Sequence, residues 1–145
     1  MDTGLKTRLE SALKESGFCL SPLDRTEHAI TVTTPFIMPD GDHLDFHVAP
    51  RAGGGWMITD FGDTAGQCLF IRRHVGATPG SYISEIGKVL EEYGAWHSVS
   101  FMESTLRLET TDEILPDALR HFAQMLLHVA HICSFGAETE LKPDA

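Results

Sequence analysis

Residues 34–64, TPFIMPDGDHLDFHVAPRAGGGWMITDFGDT, contain the pattern that decides the fold. Leu44, Phe46 and Val48 alternate with polar residues, which is typical of a strand with one buried face. The glycine-bearing stretch 50–54 follows as a hairpin loop, and residues 56–59 return as the partner strand. This stretch therefore predicts an antiparallel strand pair.

The flanking sequence predicts further strands and helices. A β-branched, alternating run over residues 28–34 predicts a strand, and the alternation over residues 96–101 and 104–109 predicts a second hairpin. Apolar residues at helical spacing predict helices over residues 3–16, about 65–72, 81–93 and about 112–135. We expect an α+β domain: an antiparallel sheet of about five strands, an N-terminal helix, two middle helices and a long C-terminal helix packed on the sheet.

Length and composition fit one domain over residues 1–137, followed by an acidic flexible tail over residues 138–145. The formal net charge of −10 argues against binding to phosphate backbones and favours a basic protein partner. No basic segment followed by an apolar run opens the sequence, and no apolar stretch is long enough to span a membrane, so we expect a cytoplasmic protein. Three widely spaced cysteines are expected to be buried thiols: Cys19, Cys68 and Cys133.

Asp42 and Asp60 form a candidate acid pair, because a hairpin can bring the start of one strand near the end of the next. Two neighbouring carboxylates can hold Mg²⁺ or Mn²⁺ and serve a metal-dependent phosphoesterase or nuclease. His43 or His47 would then transfer protons. The sequence lacks the lysine that such a site often uses, since none occurs between Lys14 and Lys88.

Turn chemistry explains the same acids without catalysis. Gly41 beside Asp42 is a tight-turn signal, because glycine tolerates positive φ and aspartate bonds its own backbone. Asp63 or Thr64 can cap a helix that begins after Gly62. On this interpretation the acids are structural, with neither a metal nor a cofactor.

Two further groups of polar side chains are each expected to lie on one face of a single strand or helix. His43, Asp45 and His47 lie on one face of their strand, although neighbours on that face are nearly 7 Å apart by strand rise, too far for a direct hydrogen bond. On the last helix, one side gathers His121, Gln124, His128 and His131. His128 and His131 are neighbours that could ligate a metal, but a solvent-exposed face is the preferred interpretation.

The motifs Thr34-Pro35-Phe36, Gly41-Asp42 and Ile58-Thr59-Asp60-x-Gly62-x-Thr64 resemble the bacterial and phage family called domain of unknown function 1828. The resemblance covers residues 28–70 by motif and residues 5–133 by order of elements. It implies a small intracellular protein, often of mobile or defence-related neighbourhoods, and implies no activity. This chain has Phe61 where such proteins commonly carry a second acid, which weakens an acid-cluster mechanism.

These observations favour a non-catalytic interaction protein of a mobile element or bacterial conflict system, such as an inhibitor, an antitoxin-like partner or an anti-defence protein. The expected partner is a basic protein, and a homodimer through a sheet edge or the histidine-bearing helix face stays open. The expected binding residues are Asp42, Asp45, Asp60 and Asp63, and the expected structural residues are Gly41, Gly62 and Thr64. The alternative is the metal-dependent phosphoesterase centred on Asp42 and Asp60.

Overall fold

Six strands form one antiparallel sheet in this computed structural model, which describes residues 3–20, 29–38, 41–61, 79–102 and 105–141. The strands are β1 (Cys19–Leu20), β2 (Ile30–Ile37), β3 (His43–Pro50), β4 (Trp56–Thr59), β5 (Ser98–Met102) and β6 (Thr105–Thr110). Their order across the sheet is β1-β2-β3-β4-β6-β5. The helices in the same part of the chain are α1 (Thr3–Ser16), α2 (Pro79–Gly94) and α3 (Leu115–Leu141).

The predicted α+β class and antiparallel sheet are confirmed, with differences in detail. The additional strand is β1, whose two residues are too few to produce a periodic signal. The long helix begins at Leu115, after a turn at Asp112, and Pro116 stands in its first turn, where a missing N–H costs nothing. It continues to Leu141, past the predicted end at 135. The predicted helix over 65–72 lies outside the described residues.

The core lies between one face of the sheet and the helices. Leu44, Phe46 and Val48 are buried as their alternation predicts, and the Phe46 ring meets Phe122 of α3 edge to face at 5.4 Å. The long helix α3 contacts β3, β4 and β6, while α1 and α2 pack against α3. No helix of the described residues is long and apolar enough to cross a membrane.

Asp112 joins the sheet to the first helix. The indole Nε1 of the fully buried Trp56 donates a hydrogen bond to Asp112 Oδ1, and Arg8 Nη1 of α1 lies 2.8 Å from Asp112 Oδ2. Burial of an indole N–H is costly without an acceptor, so the carboxylate lets the largest side chain of the core lie fully inside. One residue between β6 and α3 thereby contacts both the buried Trp56 and α1.

The expected burial of the cysteines is wrong for Cys19, which is exposed. This thiol lies on β1, which is the terminal strand of the sheet that the described residues form. Cys68 and the side chain of Cys133 lie outside the described part of the structure.

We predict that Gly55→Ala destabilises the fold. Gly55 has φ +80° in the β3–β4 turn, and a Cβ atom there would overlap the carbonyl oxygen of Thr110. The backbone strain alone is worth about 1–2 kcal/mol of unfolding free energy. Gly53→Ala in the same turn is the matched control, because that position is open and lacks a positive φ, and it should change stability by less than about 0.5 kcal/mol. Chemical denaturation measures both, and equal stability of the two variants would contradict the close approach.

Candidate functional site

The motif Thr34-Pro35-Phe36 forms an irregularity in β2. The pairing register between β2 and β3 shifts between Thr33 and Ile37. The buried Thr34 hydroxyl donates to the carbonyl of Leu44 at 2.8 Å and accepts from the N–H of Phe36 at 3.2 Å. A threonine hydroxyl thus replaces ladder hydrogen bonds where a proline interrupts the strand. The threonine of this motif is therefore explained by the hydrogen bonds that it supplies to backbone groups of Leu44 and Phe36.

The β2–β3 connection uses Gly41 as predicted. Gly41 has φ +92°, its N–H donates to the carbonyl of Met38, and the N–H of Met38 donates to the carbonyl of Asp42 at 2.7 Å. A positive φ of this size is accessible to glycine at little cost. Asp42 therefore lies in a turn at the start of β3, where it is exposed.

The predicted polar set on β3 lies on the face of the sheet opposite the core. His43 and Asp45 are exposed and His47 is half-buried. Each histidine bonds to β2: His43 Nδ1–H donates to the Thr34 carbonyl at 3.0 Å, and His47 Nδ1 lies 3.1 Å from the Thr31 hydroxyl. Asp45 is opposite Thr33 in the register. The side chains share a face as expected, and the two histidines bond across the strands.

Asp60 is a buried link between β4 and β6. Its relative exposure is 0%, and its Oδ1 accepts a hydrogen bond from the N–H of Leu106 at 2.9 Å. The N–H of Asp60 donates to the carbonyl of Leu106 at 3.3 Å. Residues paired in this way normally exchange two backbone hydrogen bonds. Here the carboxylate takes the place of the carbonyl of Asp60. The chain can therefore leave the sheet while the N–H of Leu106 keeps an acceptor.

Phe61 makes the turn that follows. It has φ +50°, which is a strained region for a bulky side chain, and the Thr59 hydroxyl accepts its N–H at 3.1 Å. Its ring lies 4.4 Å from the His47 ring at an interplanar angle of 33°, yet remains 52% exposed. The turn thus carries an aromatic ring onto the face that bears His47.

Asp42 and Asp60 are not brought together. His47 is opposite Thr59 in the register, which places Asp60 beside Phe46, four residues along β3 from Asp42. Four residues of strand correspond to about 14 Å. Asp60 is also buried whereas Asp42 is exposed. Two carboxylates placed like this do not share one cation.

The remaining predicted residues fall in two groups. Asp63, Gly62 and Thr64 lie outside the described residues. Among the residues that the structure does describe, no three His, Cys, Asp or Glu side chains are arranged to hold a metal ion. On α3, Gln124, His128 and His131 are exposed, in line with a solvent-facing surface.

His121 differs from that expectation, because it is half-buried and pairs with His97, a residue that no sequence motif indicated. His97 Nε2 lies 2.7 Å from His121 Nδ1, and His97 is buried. The Trp96 ring stacks on His121 at 5.1 Å, and Tyr93 lies 6.4 Å from the same ring. In the sequence, this cluster could have been found from three ring-bearing residues around the end of α2: Tyr93, Trp96 and His97.

Burial lowers the pKa of His97, and the neighbouring His121 lowers it further, while Asp117 acts in the opposite direction. Within the part of the chain that the structure describes, the buried Nδ1 atom of His97 has no hydrogen-bond partner. A proton on both nitrogens would leave a buried, unsatisfied N–H there. The neutral form of His97 is therefore the one that the fold favours.

Comparison with known proteins agrees with the motif resemblance. Residues 34–68 match the family model described as "Domain of unknown function DUF1828". The matched segment includes the Thr34 irregularity, the Gly41 turn, β3, β4 and the Asp60 link. No curated protein and no solved structure matches the chain. The described part of the matched segment thus forms the end of β2, the strands β3 and β4 and their connections.

We predict that Asp60→Ala lowers the unfolding free energy by about 1–3 kcal/mol, because it leaves the buried N–H of Leu106 without an acceptor. Asp60→Asn keeps a carbonyl oxygen at that position and should lose less. Asp45→Ala, at an exposed site, is the control and should stay within about 0.5 kcal/mol of the wild type. Urea denaturation of the four proteins gives the order, and an Asp60→Ala protein as stable as the control would refute the structural role.

We also predict that His97 makes the fold less stable in acid. Its pKa is lowered in the folded state from the ordinary value of 6.5, so the unfolded chain binds more protons and stability falls as the pH drops below 6.5. His97→Gln should flatten the pH dependence of the melting temperature over that range. His128→Gln, at an exposed position on α3, should leave it unchanged. Identical pH profiles for wild type and His97→Gln would contradict the prediction.

Proposed function

We propose that this chain is a non-catalytic, acidic interaction protein of a mobile element or bacterial conflict system, an inhibitor or antitoxin-like partner that binds a basic protein. The observation that carries the proposal is a mixed acidic and apolar surface on the sheet, away from the core. We call it the outer strand face and define it by Ile37, His43, Asp45, His47 and Phe61. The bacterial and phage setting rests on the motif resemblance alone.

The outer strand face combines two exposed apolar side chains with an acid. Ile37 is 56% exposed and lies opposite His43, while Phe61 is 52% exposed over His47. Asp45 lies between the two histidines on the strand. Aromatic and aliphatic anchors surrounded by polar groups are typical of the centre of a protein interface. The strain at Phe61 further supports a binding role, because the ring is held outward at an energetic cost.

Charge favours a basic partner. The chain carries a formal net charge of −10. Two of the negative charges, on Asp42 and Asp45, lie at the start of β3 and are exposed. Arg51 in the β3–β4 turn lies 3.4 Å from Glu109. Arg107 of β6 lies on the same side of the sheet as His47, two strands away, because both are in register with Thr59. A field of this sign speeds the approach of a positively charged protein and weakens with added salt.

The catalytic alternative has less support. It requires Asp42 and Asp60 to act on one metal, whereas the register separates them by four residues and buries Asp60. The Asp60 carboxylate already accepts the N–H of Leu106. Its role in ending β4 accounts for the aspartate in the Thr59-Asp60 motif without a reaction.

We predict that Asp45→Lys abolishes capture of a basic host protein by the immobilised chain, because it reverses the charge at the middle of the outer strand face. Glu91→Lys on α2 is the matched control, since it makes the same charge change at an exposed position elsewhere. Affinity capture from native host extract, with quantitative mass spectrometry, compares the two with the wild type over a salt series. Capture should weaken as salt rises.

Two results would count against this proposal. One is the absence of any specific basic protein at low salt. The other is equal loss of capture with Asp45→Lys and Glu91→Lys, which would mean that net charge alone, and not this face, decides binding.

A further inference from the structure

The strand β5 ends the sheet and carries no charged residue. It is the terminal strand in the sheet formed by the described residues, paired with β6 on one side. Its sequence is Ser98-Val99-Ser100-Phe101-Met102. An edge strand presents backbone N–H and C=O groups that another strand can pair with. Proteins usually protect such edges with proline, or with lysine and other charged residues. The β5 edge has none of these protections within the strand.

The side chains of β5 leave apolar surface at this edge. Val99 and Phe101 pack against the core yet are only half-buried, while Ser98 and Ser100 are exposed. Phe101 is opposite Leu106 and Val99 is opposite Leu108 on β6, so both continue the buried layer to the end of the sheet. A further strand alongside β5 would cover the remaining surface of both residues.

We propose that β5 pairs with β5 of a second copy of this chain, antiparallel about a twofold axis at Ser100, and joins the two sheets into one. This register sets Val99 of each copy opposite Phe101 of the other. Aromatic and β-branched residues form favourable cross-strand pairs. The strand is thus complementary to itself, as a twofold interface requires.

Trp96 is a further exposed aromatic residue close to this strand. It lies two residues before β5, is 64% exposed and is held by stacking on His121 at 5.1 Å and 37°. An exposed tryptophan held in one orientation loses little freedom when it is covered, and tryptophan is among the residues that contribute most to interfaces. The twofold axis supplies two such rings.

Charge separates this assembly from the binding of a basic partner. Two copies with a formal charge of −10 each repel one another, so added salt strengthens the dimer. A complex with a basic protein weakens under the same change. The two interactions therefore respond to ionic strength in opposite directions, and either can fail without the other.

Sedimentation equilibrium on the purified full chain tests the proposal. The wild type should have a mass of twice the 16.0 kDa of one chain, and its dimer fraction should increase with salt. Ser100→Lys places two like charges directly opposite and should return the protein to the single-chain mass. Ser11→Lys, which makes the same substitution at an exposed position of α1, is the matched control and should remain dimeric.

A cysteine variant covers the case in which Ser100→Lys fails to fold. Ser100→Cys brings two thiols face to face across the axis and should give a covalent dimer on mild oxidation, above the wild-type background from native cysteines. Ser11→Cys should not exceed that background. A monomeric wild type, a Ser100→Lys protein that stays dimeric, or no excess crosslinking of Ser100→Cys would overturn the proposal. Capture of a different protein by the β5 edge of a monomeric chain would overturn it as well.

Discussion

A single buried hydrogen bond, from the N–H of Leu106 to the carboxylate of Asp60, determines how the chain leaves the sheet. In a regular ladder the carbonyl of Asp60 would accept that N–H, and the backbone would have to continue as a strand. Because the side chain accepts it instead, the next residue, Phe61, is free to leave the strand conformation and adopt φ +50°. The outer position of Phe61, and its contact with His47, follow from this substitution of side chain for backbone.

The sequence predicted those elements whose signal is local and periodic. Leu44, Phe46 and Val48 identified β3 and its buried face, and α1 was predicted with the bounds it has. What could not be predicted depends on contacts between distant residues. The partner of Asp60 is 46 residues away, and that of His97 is 24 residues away on another element. A two-residue strand such as β1 exists only because β2 lies beside it. The separation of Asp42 and Asp60 follows from a register that alternation alone does not fix.

The two proposed surfaces use different parts of one sheet. The outer strand face occupies β2, β3 and the exit of β4, whereas the β5 edge is separated from β3 by β4 and β6. Seven strand spacings then separate the two copies of β3, or about 34 Å. A dimer of this kind would present two identical binding faces, one on each copy.

The link from Arg8 through Asp112 to Trp56 also has a consequence for folding. Arg8 and Asp112 are 104 residues apart, and Arg120 of α3 donates to the carbonyl of Glu15 in α1 across a similar separation. Closing so long a loop costs entropy before any contact is gained. During synthesis, α1 leaves the ribosome with Leu9 and Leu13 uncovered, and α3, the helix that packs over α1, is among the last parts of this sequence to appear. The strand pairs can form before α3 is synthesised, but α1 can be covered only after α3 has emerged.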